Sequence, residues 1–331
     1  MTLRPRFTLL AAAAALVLTG CGFGTESGEA SGENAWTYTS GDGKTYTAEE
    51  VPTRIIAQGE SAAALIAHGI RPVGIYLSQP LKDTKSLQDV DLDGIEIIGE
   101  TWGKIDAEKA AALKPDLIVS GYWTTEKAYG GLENGVEESS KKVAKLAPVV
   151  GPVADQSVEK MLDGFEELSG TLGADLDSEE IVSDKEAFEQ ARERFRTTVA
   201  DADGLTAMGV SPADDILYVA VPKHSAELAD FARYGLDIVV PDSPDPDFSY
   251  WENLSWENAD KYQPDLVLMD DRTLEQSTKT AEKQPTWRKI KAVEAGAVTP
   301  WPAYWISTYR DYAEQLDQLS DAVEKADPDL T

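Results

Sequence analysis

The sequence predicts an α/β fold of two lobes with mostly parallel sheets, joined by one long connecting helix and facing each other across a cleft. Three observations predict it. Short apolar strands alternate with short helices on both sides of the chain's middle. The middle itself, Leu176 to Asp203, carries no Gly or Pro and is dense in Glu, Asp, Arg and Ala. And one segment occurs twice, once on either side of that stretch. Alternation of strand and helix implies parallel strands covered by helices on both faces.

The elements follow in order. Trp36 to Thr47 alternates around Gly41-Asp42-Gly43 and reads as a β-hairpin. Arg54 to Ala57 is a strand, Ser61 is the expected cap of a short helix ending at Gly69, and Arg71 to Tyr76 is a second strand. Asp106 to Leu113 is a helix and Asp116 to Ser120 a buried strand. Within Leu176 to Asp203, Ile181, Phe188, Ala191 and Phe195 fall near helical spacing. At ~1.5 Å per residue that helix runs on the order of 40 Å, a stiff connector. Beyond it come a strand over Ile216 to Val221, a helix over Ser225 to Tyr234 and a strand over Asp237 to Val240.

The repeated segment is Glu108 through Pro115-Asp116-Leu117 and Glu257 through Pro264-Asp265-Leu266, each an acid, six residues, then Pro-Asp-Leu and two apolar residues. Each half reads as a short helix, a proline-marked stop and a buried parallel strand. Related halves place equivalent loops opposite one another, and ligands in such folds bind beyond the carboxyl ends of the strands.

With 59 acidic residues against 30 basic ones the formal charge is −29, and no basic run exists to neutralise phosphates, so a nucleic-acid partner is excluded. The acidity suits solubility and self-repulsion, and a monomer is expected. Cys21 is the single cysteine, which excludes an intrachain disulfide. Arg4 and Arg6 precede an apolar run, Thr8 to Leu18, too short to span a bilayer, and Leu18-Thr19-Gly20-Cys21 follows. This resembles the lipobox of bacterial lipoproteins, in which cleavage before the cysteine leaves it as the lipidated N-terminus. Removal of residues 1–20 takes away Arg4 and Arg6 and no acid, so −29 becomes −31. The acyl chains then hold the protein on the extracytoplasmic face of the cell membrane. The expected organisation is a signal peptide over 1–20, a flexible tether over 21–35, a lobe over 36–175, the connecting helix over 176–203 and a second lobe over 204–331.

The ordered set of segments resembles the iron-siderophore, haem and cobalamin substrate-binding proteins of ABC importers. Val51-Pro-Thr-Arg-Ile-Ile56 is similar to the opening strand of that family, and Ser61 to Tyr76 to its first helix and second strand. Ala107 to Val119, Ser139 to Val150 and Trp287 to Val298 complete the series. The resemblance implies two α/β lobes on one long helix, no catalysis, and delivery of cargo to an ABC permease through one glutamate on each lobe. By position these are Glu108 and Glu257. Acids near helix starts suit the macrodipole, and a carboxylate is the planar partner of a transporter arginine.

The resemblance also implies a cleft lined from loops after the strands, and these loops are aromatic here. The candidate ligand residues are Trp102, Tyr122, Trp123, Lys223, His224, Tyr250, Trp251, Arg272, Trp301, Tyr304 and Trp305, with Asp270 and Asp271 beside Arg272. Rigid amphipathic rings suit a bulky amphipathic ligand. A ferric siderophore fills the coordination sphere of its iron, so no cofactor and no protein metal ligands are expected, and only His68 and His224 are available. A hydroxamate-type siderophore ranks first because the charge disfavours strongly anionic catecholate or citrate complexes, although Arg272 and Lys223 could form a local positive patch. Haem, with His224 as axial ligand, or cobalamin is the alternative. A lipid-anchored hydrolase built on Gly59-Glu60-Ser61-Ala62-Ala63 is a distant third, since the second glycine of a nucleophile elbow is missing.

Overall fold

The computed structural model describes residues 35–133 and 135–330. The expected leader, Cys21 and nearly all of the tether lie outside the described residues. Among those described, no helix is long and apolar enough to cross a membrane.

The chain opens with an antiparallel hairpin, β1 (Trp36–Thr39) and β2 (Thr45–Ala48), with Trp36 opposite Ala48 and Thr39 opposite Thr45. Gly43 takes the left-handed conformation its turn requires, φ +77°. Then follow β3 (Ile55–Gln58), α1 (Gly59–Ala67), β4 (Gly74–Leu77), β5 (Glu96–Glu100), α2 (Ala107–Ala112) and β6 (Leu117–Val119). A small hairpin, β7 (Tyr122–Trp123) and β8 (Ala128–Tyr129), leads to α3 (Glu138–Val143), β9 (Val149–Val150) and α4 (Val158–Thr171). The five strands β5-β4-β3-β6-β9 form one wholly parallel sheet.

The long helix is α5 (Glu179–Asp201), shorter at both ends than the 176–203 expected. It does not stand free as a rod. Phe188 stacks on Tyr312 with ring centroids 5.1 Å apart, and Phe195 meets Phe231 edge-on at 5.8 Å. Its outer face is held by Arg194, which lies 3.0 Å from Asp317 and 3.2 Å from Glu324.

Beyond it come β10 (Thr206–Pro212), β11 (Ile216–Ala220), α6 (Ala226–Arg233), β12 (Asp237–Ile238), β13 (Trp251–Ser255), β14 (Leu266–Asp270), α7 (Leu274–Glu282), α8 (Lys291–Glu294), β15 (Val298–Trp301) and α9 (Tyr309–Lys325). The second sheet runs β13-β11-β10-β14-β15, with β12 also paired to β10. It is mostly parallel, as expected: β10, β12, β13, β14 and β15 share one direction, and β11 is antiparallel to both β10 and β13. The tight link Ala213 to Asp215 turns the chain straight back, which a parallel crossover could not do.

Strand alternation sorts the core. Ile55, Ala57, Leu117, Val119, Leu266 and Leu268 point into one cluster shared by both lobes. Their neighbours Ile56 and Ile118 enter a cluster private to the first lobe, and Val267 and Met269 one private to the second. Each sheet is therefore covered on both faces, and the inner faces share one core.

The repeated Pro-Asp units do the same task in both lobes. The Asp116 carboxylate accepts the backbone N–H groups of Thr53 and Arg54 at 3.0 and 2.8 Å. The Asp265 carboxylate accepts the N–H of Thr206 at 2.9 Å and its hydroxyl at 2.7 Å. Each aspartate so fixes the start of the neighbouring central strand, β3 or β10. The second unit departs from expectation in one respect: Trp256–Asn258 is a single 3-10 turn, not a helix. The cap at α1 is also corrected. Gln58 caps that helix by accepting Ser61 N–H, and Ser61 lies buried in its first turn.

Asp265 is 1% exposed while Asp116 is partly open. Replacing Asp265 by Ala removes a buried acceptor from both Thr206 donors and should cost about 2–3 kcal/mol, against about 1 kcal/mol for Asp116→Ala. Urea unfolding of the two variants measures the difference; equal losses would remove the burial argument.

Candidate functional site

The first sheet is parallel throughout, so its loops gather at one edge. Gln58 ends β3 and Glu60 and Ser61 follow it, Gln79 and Lys85 follow β4, Trp102 follows β5, and Trp123 and Glu126 follow β6. From the second lobe come Ala226 and Glu227 at the start of α6, Phe248, Tyr250 and Trp251 at the start of β13, Arg272 after β14, and Tyr304 and Trp305 after β15. Together they enclose a cavity of about 620 Å³ between the lobes. Drug-sized ligands occupy cavities of that order. The two sides approach closely, with the rings of Trp123 and Tyr304 6.0 Å apart and Tyr250 Oη donating to Glu126 at 3.4 Å. Trp102 is 45% exposed and Phe248 53%, two large aromatic surfaces left open at the wall.

Both cations of the wall are engaged. Arg272 Nε donates to both Asp270 oxygens at 3.0 and 3.2 Å, and its guanidinium lies 4.9 Å over the Tyr304 ring. Burial alone would lower the Arg272 pKa; the Asp270 carboxylate outweighs it and raises it. Lys85 reaches Asp271 at 2.7 Å. Four carboxylates line the cavity as well: Glu60, Glu126, Glu133 and Glu227. Glu133 accepts the indole N–H of Trp102. Burial pushes Glu60 up, and pushes Glu227 up to about 7. Glu227 has a structural duty. It accepts the backbone N–H of Tyr304 at 2.7 Å, where Tyr304 holds φ +63°, a conformation that costs a non-glycine residue energy.

Of the residues singled out from sequence, Trp102, Trp123, Tyr250, Trp251, Arg272, Tyr304 and Trp305 come to this one wall. Four do not. Tyr122 precedes Trp123 in β7, so its side chain takes the opposite face and meets Tyr129 edge-on at 5.2 Å. Trp301 is fully buried on the sheet, 6.1 Å from Trp251 and over Gly209, where a Cβ would crowd Leu228 and Ala220. Lys223 and His224 occupy the 3-10 turn Pro222–His224; His224 rests 5.6 Å from the Tyr250 ring and is not on the cavity wall. Lys223 is exposed in that turn and does not line the cavity with Arg272. Glu108 and Glu257 are exposed, each in the first turn of its segment.

Sequence reasoning missed Glu60, Lys85, Glu126, Glu133, Glu227 and Phe248. Phe248 belongs to the aromatic run ending at Trp251 and was within reach. Glu227 looks like any first-turn acid. Lys85 lies in the loop between β4 and β5, and β5 itself went unseen.

His68 hydrogen-bonds Ser169 at 3.1 Å, and His224 rests against the Tyr250 ring. Among the described residues no three His, Cys, Asp or Glu side chains converge as a metal-ligand set.

Comparisons with known proteins agree with this geometry. Residues 83–304 match the profile of the family described as periplasmic binding protein. The structure is similar to DesE, a ferric-siderophore receptor protein from Streptomyces coelicolor, with TM-score 0.78, 32% identity, and coverage of 88% of this chain and 99% of that one. It shares its fold with the siderophore periplasmic binding protein from the fuscachelin gene cluster of Thermobifida fusca (TM-score 0.61, 23% identity, 82% and 96% covered). It likewise shares it with FhuD2 from Staphylococcus aureus, solved with bound ferrioxamine B (TM-score 0.57, 19% identity, 82% and 98% covered). No curated protein sequence matches. A profile matched over most of the chain, and a relative 32% identical along nearly its whole length, establish that this chain belongs to the periplasmic binding protein family.

Proposed function

We propose that this chain is an extracytoplasmic, lipid-anchored substrate-binding protein that captures a ferric siderophore between its lobes and delivers it to an ABC permease. It is a carrier, not an enzyme, and works as a monomer without a cofactor of its own. The observation that carries the reading is the cavity of about 620 Å³, walled from both lobes and carrying aromatic rings of each. Rigid rings give a pre-wrapped ferric complex broad contact without competing for its iron. The relative that is 32% identical is a ferric-siderophore receptor, which supports the same class of cargo.

Among chelators the charge of the wall favours the hydroxamate type. Lys85 and Arg272 are each neutralised by an aspartate, and Glu126 and Glu133 also line the wall, whereas burial pushes Glu60 and Glu227 toward the neutral form. A tris-catecholate ferric complex is trianionic and would meet this wall with repulsion; ferric hydroxamates are neutral or cationic. One structural neighbour, FeuA from Bacillus subtilis, is a triscatecholate binder, so the fold alone does not choose. Haem is disfavoured because its candidate axial ligand, His224, stands behind Tyr250. Cys21, after cleavage, is the proposed lipid attachment, and Glu108 and Glu257 are the proposed permease contacts.

Titration with ferric siderophores should quench the tryptophan fluorescence, with hydroxamates binding more tightly than catecholates or citrate. Trp102→Ala should weaken that binding by roughly 1–2 kcal/mol, about 5- to 30-fold. Tighter binding of a catecholate, or of haem, would overturn the ranking. The double variant Glu108→Ala, Glu257→Ala should bind cargo as the parent does and lose uptake into cells; weakened cargo binding in that pair would contradict the docking assignment.

A further inference from the structure

The two lobes are tied behind the cavity and again at its wall, by different chemistry. Behind it, Glu159 of α4 pairs with Arg233 of α6, and the α4, α5, α6 and α9 side chains interlock. At the wall, the ion pair between the lobes is Lys85 to Asp271, with Nζ 2.7 Å from Oδ2. The other oxygen of Asp271 accepts the indole N–H of Trp305 at 2.9 Å. The Lys85 ammonium also stands 5.6 Å from the centroid of the Trp305 ring. One carboxylate from the second lobe, one ammonium from the first and one cavity indole thus form a closed triangle.

The members differ in freedom. Asp271 is 4% exposed, and its backbone N–H donates to Trp301 O at 3.1 Å, so its main chain is fixed beside the end of β15. Lys85 rises from a 3-10 turn whose next two residues, Ser86 and Leu87, are buried, yet its side chain keeps access to the cavity. Burial pushes the Asp271 carboxyl above its ordinary range even with Lys85 and Trp305 beside it, so the charged form depends on those two partners.

We propose that Asp271 is the positioning residue of the cleft, setting the plane of Trp305 and, through Lys85, tying that aromatic wall to the opposite lobe. Opening the cavity at this side breaks the Lys85 contact and leaves a buried carboxylate short of its cation, so closure and the placement of Trp305 are coupled. Cargo seated against Trp305 is released only when this contact yields, and the contact therefore governs the off-rate. The inference rests on the reading of the cavity as the cargo site, but its first test needs no cargo.

Amide hydrogen exchange of the ligand-free protein compares the parent with Lys85→Met and Lys85→Arg. Lys85→Met should exchange about tenfold faster over residues 85–90 and 301–306, with α4, α6 and α9 unchanged, and Lys85→Arg should restore the parent rates. Unchanged exchange at both segments, or loss of protection spread equally over α4, α6 and α9, would overturn the proposal. A ferric hydroxamate probe supplies the second arm: Lys85→Met should raise its off-rate about tenfold and leave its on-rate nearly constant. A slowed on-rate with an unchanged off-rate contradicts the coupling. If the parent takes up no siderophore, the cargo assignment fails, and the exchange arm alone decides the role of Asp271.

Discussion

The buried carboxylate of Asp230 is where one lobe is fastened to the other. It sits on α6, fully buried, and accepts the backbone N–H of Glu159 in the first turn of α4 at 3.0 Å. An aspartate of the second lobe thereby caps a helix of the first, where the helix presents its unpaired N–H groups and the positive end of its dipole. Tyr312 of α9 donates to the same oxygen at 3.1 Å, and Arg233 lies 2.9 Å from the other as an ion pair without hydrogen-bond alignment. Burial drives the Asp230 pKa up, and the surrounding donors oppose that rise. A buried charge with so many fixed partners specifies one relative placement of the sheets. The cavity exists because that placement is fixed.

From this constraint the chemistry of the site follows. The parallel first sheet delivers its loops to one edge, and the second lobe presents its own loops across the gap. Aromatic residues of both lobes face the cavity, while each cation is held by an aspartate of β14 or its following residue. Such a wall offers shape, dispersion and polar tips rather than metal donors. That suits cargo whose metal is already fully coordinated.

Much of this was legible in the sequence, for local physical reasons. The hairpin at Gly43, the Asp106 cap of α2, the Ser225 cap of α6 and the buried stripe of α5 are all short-range signals. The aromatic residues at loop positions could be listed, but their facing could not. Tyr122 and Trp123 differ only by the alternation of a two-residue strand whose existence was not foreseen. Trp301 is drawn into the core because Gly209, remote in sequence, leaves room beside it. The Lys85–Asp271 and Glu227–Tyr304 contacts join distant parts of the chain, and no local pattern marks them. The antiparallel reversal at β11 was hidden because a buried strand reads the same in either direction.

The central claim is that cargo sits between the lobes against one set of indoles. The indole N–H resonances of the eight tryptophans test it directly, with a diamagnetic gallium hydroxamate in place of the ferric complex. Trp102, Trp123, Trp251 and Trp305 should shift on binding, while Trp36, Trp256 and Trp287 stay in place. Shifts confined to Trp36, Trp256 or Trp287, with the cavity indoles unmoved, would contradict the account.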